Sequence, residues 1–201
     1  MHYLIDLITA VGYFGYAILF VTIFLESFPL TFFLPGDSLL FTTGFLASQG
    51  YFNLALLVGT LFLASVLGYM FSYAMGQKFR GIVLESNDRF WFKRKHLEYT
   101  QHFYEKYGDK TVIIGRFVPI VRSFAPTLAG AVVMPYRKFI RDTLVGGVFW
   151  AAGMTSVGFY LGQIIPNADK YLTPIILGII FVSLLPSLIE YISMRRKNKN
   201  F

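Results

Sequence analysis

Forty consecutive residues, Ser38–Gln77, carry no Asp, Glu, Lys or Arg. As one helix they would extend about 60 Å at ~1.5 Å per residue, twice the roughly 30 Å hydrocarbon core of a bilayer. The run must therefore turn back on itself. The stretch SQGYFN, Ser48–Asn53, supplies the turn formers Ser, Gly and Asn. Three more uncharged runs, Leu7–Leu25, Thr143–Ala168 and Tyr171–Ile189, measure 19, 26 and 19 residues. Uncharged apolar runs of about 18 or more are transmembrane candidates. Composition agrees, with 14% charged residues against about 25% in an ordinary globular domain. The expected class is an all-α integral membrane protein.

Prolines and charges set the layout. Leu54–Gln77 is a full span, but Ser38–Ala47 is too short to cross, and it follows FPLTFFLPGD, Phe28–Asp37, where Pro29, Pro35 and Gly36 interrupt a helix. Residues 26–47 are therefore read as a re-entrant hairpin, which needs a protein or aqueous lining at membrane depth. Residues 78–110 hold 13 of the 29 acidic and basic side chains and include RFWFKRK, Arg89–Lys95. Aromatics beside cations predict a helical, amphipathic connector on the cytoplasmic surface. Basic clusters at Lys78–Lys110, Arg137–Arg141 and Arg195–Lys199 share one side only if residues 111–135 enter and leave by the same face. Pro119 and Pro126 are the expected breaks in that second hairpin. The predicted order is span 7–25, hairpin 26–47, span 54–77, connector 78–110, hairpin 111–135, spans 143–165 and 171–190, and basic tail 191–201. Both termini are then cytoplasmic, and the hairpins enter from opposite faces, as in inverted-repeat transporters.

Four ionisable residues fall at membrane depth in this layout: Glu26, Asp37, Arg116 and Arg122. Their charges sum to zero, so each arginine has a candidate carboxylate partner in the facing hairpin. On an unbroken helix the arginines would lie about 120° apart; Pro119 between them lets both reach one cavity. Buried salt bridges that only pin the hairpins are the alternative, although such pairs are weak stabilisers. Intramembrane charges more often mark a substrate or ion path. Arginine suits phosphate, because its planar fork donates two parallel hydrogen bonds to anionic oxygens.

Other features carry less. The net charge of +7 fits cytoplasmic flanks and anionic headgroups, and no nucleic-acid partner is expected. The chain has no cysteine, which excludes disulfides and thiolate metal sites. His96 and His102 have a poor metal spacing, and no hydrolase, metalloprotease or P-loop motif appears; no cofactor and no metal are expected. Gly158-x-x-x-Gly162 and Gly12-x-x-Gly15 predict close helix packing. Asp142 beside Arg141 reads as a local ion pair.

FLESFPLTFFLPGDSLL, Phe24–Leu40, and HFYEKYGDKTVIIGRFVPIVRSFAPTLAGAVVMPYRKF, His102–Phe139, resemble the two signatures of the DedA (VTT-domain) family. GGVFW, Gly146–Trp150, and GFYLG, Gly158–Gly162, resemble its closing pieces. The resemblance implies a bacterial inner-membrane transporter that moves polyprenyl phosphate carriers or phospholipids, is linked to protons, and supports the envelope. It also implies that the acidic positions are Glu26 and Asp37 and the essential arginines Arg116 and Arg122. The chain departs from the pattern at Tyr69, Gln77 and Thr143, where many relatives carry Asp, Arg and Asn.

These readings converge on a proton-linked flippase for undecaprenyl phosphate or a related phospholipid. Arg116 and Arg122 would bind the phosphate, and Glu26 and Asp37 would exchange protons. A proton-coupled small-ion exchanger and a passive phospholipid scramblase are the alternatives. An intramembrane enzyme is not expected, because no nucleophile–base pair is evident. The expected partners are a phosphate-bearing lipid, protons or another coupling cation, and the bilayer; homo-oligomerisation is left open.

Overall fold

Where nearly every side chain is apolar and no water is at hand, the backbone must satisfy its own hydrogen bonds, and a helix does this within one segment. The computed structural model describes residues 2–31, 36–84 and 94–164, and every regular element among them is helical. In chain order these are α1 (His2–Glu26), a 3₁₀ turn (Pro29–Thr31), α2 (Gly36–Ser48), α3 (Leu54–Lys78), α4 (Arg80–Leu84) and α5 (Arg94–Tyr107). There follow α6 (Thr111–Ile114), a 3₁₀ turn (Gly115–Phe117), α7 (Pro119–Ala131), α8 (Tyr136–Gly147), a π turn (Val148–Ala152) and α9 (Gly153–Ile164). The predicted span 171–190, the tail 191–201, Pro35 and most of RFWFKRK lie outside the described residues.

The chain divides into two compact units, Met1–Leu34 with Ala55–Gly153, and Pro35–Leu54 with Met154–Phe201. In the first, α3 is apolar on both sides. Leu57, Leu61, Ala64, Tyr69 and Tyr73 are buried, while Leu56, Leu63, Leu67, Phe71 and Met75 are exposed. Helix α1 exposes Phe14, Ile18, Val21 and Leu25 in the same way. Continuous apolar faces of this size mark contact with lipid or protein rather than water. Leu54–Lys78 and the helical stretch Tyr136–Ile164, 25 and 29 residues, are long and apolar enough to cross a bilayer.

Helix α7 is the centre of this unit. Every residue from Val121 to Ala131 is buried, as expected of a helix surrounded by others. At 13 residues it is about 20 Å long, well short of the hydrocarbon core. Its contact with α3 depends on two glycines. A Cβ on Gly76 would be driven into the carbonyl of Thr127, and one on Gly130 into the carbonyl of Tyr73. Around the crossing, Tyr69, Tyr73, Val112, Ala129, Met134 and Phe139 form one core cluster, and Val83, Leu97, Leu128 and Ala131 form another. Part of the charged connector is thus docked: Leu97 of α5 packs on α7.

Pro119 occupies the first turn of α7, where its missing N–H costs nothing, and Val118 before it is extended (φ −116°, ψ 110°), as a pre-proline residue should be. Pro126 does not break the helix, which runs on to Ala131. Its ring only removes the N–H that would reach the carbonyl of Arg122. The helix closes with Met134 N–H donating to Ala129 O (2.9 Å) and Val133 N–H to Gly130 O (3.1 Å), a Schellman motif. Val133 takes the left-handed position, φ 57°.

In the second unit, α2 and α9 approach through glycines of both helices. A Cβ on Gly44 would strike the Thr155 carbonyl, and one on Gly158 the Phe41 carbonyl. Gln49 Nε2 donates to Gly162 O (3.1 Å) and to Ser48 Oγ (3.0 Å). The Gly158/Gly162 spacing thus serves close packing as predicted. Gly12 has nothing near its Cβ position, so close packing at that residue is not found among the described residues.

Candidate functional site

Helix α1 ends on Glu26, and two hydroxyls hold that end in place. Ser72 Oγ of α3 donates to Ser27 O (2.7 Å), and Ser123 Oγ of α7 donates to Glu26 O (3.1 Å). Gly68 leaves room for this turn, because a Cβ there would overlap the Ser27 side chain and the Phe24 carbonyl. Held this way, Glu26 Oε1 forms an ion pair with Arg122 Nη2, and both side chains are almost wholly buried.

Arg122 sits in the first turn of α7, the positive end of the helix dipole, where a cation is disfavoured and a carboxylate favoured. Glu26 therefore offsets both the guanidinium and the helix end. The guanidinium also lies 5.2 Å from the Trp150 ring centroid, at a distance where a cation–π attraction operates. Trp150 belongs to the π turn Val148–Ala152, an insertion frequent at functional sites.

Arg116 has different surroundings. It lies in the 3₁₀ turn Gly115–Phe117 and is 1% exposed. Its guanidinium carbon stands 3.7 Å from the centroid of the Tyr69 ring, and Nη2 donates to Thr143 O (3.2 Å). Gly146 makes space for it: a Cβ there would fall 3.0 Å from Arg116 Cδ. Among the described residues, Nε and Nη1 of Arg116 have no hydrogen-bond partner, and it forms no ion pair. A buried cation satisfied by one carbonyl and one ring face retains capacity for an anion.

The structure thus joins Glu26 to Arg122 and gives Arg116 an aromatic neighbour. Asp37 lies in the first turn of α2, in the other unit, half-buried. Gly36 begins that helix. Asp142 pairs with Arg141, Nη2 to Oδ1 at 2.9 Å. His102 is exposed and lies 3.1 Å from Glu105. Sequence reasoning did not identify Tyr69, Trp150, Ser72 or the Thr143 carbonyl as partners. Tyr69 and Thr143 were nevertheless marked as departures from the family pattern, and both touch Arg116.

Comparison with known proteins covers the elements that build this site. The VTT domain profile matches residues 34–160. Protein DedA of Escherichia coli (strain K12) is 40% identical over 197 residues, covering 96% of this chain and 90% of that protein. An uncharacterized membrane protein of Mycobacterium leprae (strain TN) is 39% identical over 184 residues, 89% of this chain and 81% of its own. Inner membrane protein YghB of E. coli (strain K12) is 33% identical over 154 residues, 74% and 68% of the two chains. No solved structure matches. With identity running along almost its full length and the profile spanning α2 to α9, this chain is a membrane protein of the VTT-domain (DedA) family.

Proposed function

We propose that this protein translocates a phosphate-bearing lipid, of the polyprenyl (undecaprenyl) phosphate class, across a bacterial inner membrane. The observation that carries the reading is Arg116, a buried guanidinium with two nitrogens unclaimed among the described residues and its face fixed on Tyr69. A phosphate oxygen pair can be met by the Nη2 hydrogen not given to Thr143 O together with Nε or Nη1, and the pre-set ring contact lowers the ordering cost of binding. The 13-residue helices α2 and α7 support two re-entrant hairpins, each too short to cross.

In this reading Arg122 is the second phosphate ligand and Glu26 holds it between turnovers. When phosphate draws Arg122 away, the Glu26 carboxylate loses its counter-ion in a dry setting, and its charged form becomes costly. It then takes a proton, which it releases when Arg122 returns. Asp37 is assigned the same exchange in the other hairpin. The lipid is moved unchanged and no cofactor takes part.

The closed Glu26–Arg122 pair also fits a proton-coupled small-ion exchanger, in which the carboxylates carry the ion and the arginines are structural. A lysine keeps the charge and loses the bidentate fork, so Arg116→Lys separates the two readings. Proteoliposomes with labelled polyprenyl phosphate in one leaflet provide the test. Wild-type protein should redistribute the label faster than Arg116→Lys or Arg116→Gln protein. Equal rates for all three contradict the proposal, as does release of inorganic phosphate.

A further inference from the structure

A threonine inside a helix commonly donates its hydroxyl to the carbonyl one turn back, and Thr22, Thr43 and Thr60 do so at 2.8 Å. Thr143 does not. It is 0% exposed, and its Oγ1 has no hydrogen-bond partner among the described residues. The hydroxyls of Thr42, Thr127 and Thr155 share that condition, but Thr143 is the residue whose carbonyl accepts from Arg116 Nη2 (3.2 Å). Two buried side chains with unused hydrogen-bonding capacity therefore meet at one residue of α8.

The geometry puts the hydroxyl at the tip of the guanidinium. Arg116 lies along α8 with Cδ and Nε over Gly146, where a Cβ would come within 3.0 and 3.2 Å of them. Its Nη2 reaches Thr143 O, one turn earlier, so the side chain runs toward the N-terminal end of α8. Helical Cα–Cβ bonds tilt the same way, which sets Oγ1 on the tip side of the bonded carbonyl. Four covalent bonds separate Oγ1 from that carbonyl oxygen, a reach of at most about 5 Å. One phosphate group, with hydrogen bonds of about 2.8 Å on either side, bridges groups so spaced.

Charge selects the occupant. Among the described residues, the buried acidic and basic side chains of the first unit are Glu26, Arg116, Arg122 and Asp142. Glu26 pairs with Arg122 and Asp142 with Arg141, which leaves Arg116 as one positive charge outside these pairs. A water molecule would satisfy the hydroxyl and leave that charge unmatched, whereas a singly charged anion answers both. A phosphate monoester carrying one proton has that charge, and its P–OH needs an acceptor. Arginine has donors only, but a hydroxyl also accepts.

We propose that Thr143 is a specificity-determining ligand for a singly protonated phosphate monoester, its Oγ1 accepting the P–OH hydrogen while Arg116 donates to P–O oxygens through Nη1 and the remaining Nη2 hydrogen. This rests on the translocase reading and adds to it a further contact group. It also gives a reason to prefer a monoester over a phosphodiester, which has no such hydrogen.

The test titrates the full chain in phosphatidylcholine nanodiscs near pH 6, about the second pKa of a phosphate monoester. The probes are polyprenyl phosphate and its methyl ester, which keeps a single charge and lacks the P–OH. Wild type should bind the monoester at least about tenfold more tightly, one decade in affinity. Thr143→Val, of the same shape without the hydroxyl, should bind the two alike, and Thr143→Ser should keep most of the discrimination. Ligand-free Thr143→Val should unfold at the same or a higher temperature, because an unsatisfied buried hydroxyl is removed. Equal binding of the two esters by wild type, discrimination that survives Thr143→Val, or a ligand-free midpoint lowered by Thr143→Val overturns the inference. If that happens while Arg116→Lys still weakens monoester binding, the Thr143 assignment falls and the translocase stands. Inorganic phosphate separates the sources: if it displaces the lipid at equal concentration and no polyprenyl phosphate crosses liposomes, the Thr143 assignment stands and the translocase falls. Binding of none of these probes overturns both.

Discussion

Arg116 stacks over Tyr69, with the guanidinium carbon 3.7 Å from the ring centroid. The contact covers one face of a buried cation that forms no ion pair among the described residues. It leaves Nε and Nη1, at the edge of the guanidinium, without a hydrogen-bond partner among the described residues.

Replacing Tyr69 isolates the value of that face. Tyr69→Phe keeps the ring, whereas Tyr69→Leu removes it and should cost about 1–2 kcal/mol, the range for a desolvated cation–π pair. Thermal unfolding in detergent should show Leu clearly below Phe. Indistinguishable midpoints for the two variants would mean the stack contributes nothing.

The Glu26–Arg122 pair predicts strong coupling. Removing one partner leaves an uncompensated buried charge, so Glu26→Gln or Arg122→Gln alone should each cost about 3–5 kcal/mol. The double variant should lose much less than the sum. Additive losses in a double-mutant cycle would show that the pair does not interact.

The α3–α7 crossing makes a steric prediction. Gly130→Ala directs a methyl group into the Tyr73 carbonyl, and backbone cannot yield as a side-chain tip does. The expected loss is about 1–3 kcal/mol or more, the cost of overpacking. Gly12→Ala, with open space around it, should change the unfolding midpoint little. Similar effects at the two positions would refute the close crossing.

Val133 is a β-branched residue at a left-handed position, where a side chain costs roughly 1–2 kcal/mol. Val133→Gly relieves this but adds unfolded-state entropy, so a net gain of about 0.5–1 kcal/mol is expected. Denaturant titration should show the higher midpoint. A lower midpoint would mean that the exposed Val133 side chain stabilises the turn more than its backbone strain destabilises it.

The helical architecture and the buried charges Glu26, Arg116 and Arg122 were legible for one reason: in an apolar chain, a charge or a proline stands out. Ser48–Asn53 marked the gap between α2 and α3, and Pro119 marked the start of α7. Pro126 misled, because in the buried helix α7 the surrounding packing holds the backbone through a missing hydrogen bond. The partners of Arg116 were not legible. An aromatic ring or a backbone carbonyl inside an apolar run looks like any other core group, so a carboxylate was expected where Tyr69 and the Thr143 carbonyl are found. The left-handed turn at Val133 was hidden because its residue type argues against it.

The most direct test of the central claim is equilibrium binding of polyprenyl phosphate against polyprenol, which differ only in the phosphate. By native mass spectrometry of the purified protein, wild type should prefer the phosphate by at least about tenfold, near 1.4 kcal/mol, and Arg116→Lys should lose most of that preference. Equal binding of the two lipids by wild type, or a preference untouched by Arg116→Lys, would contradict the account.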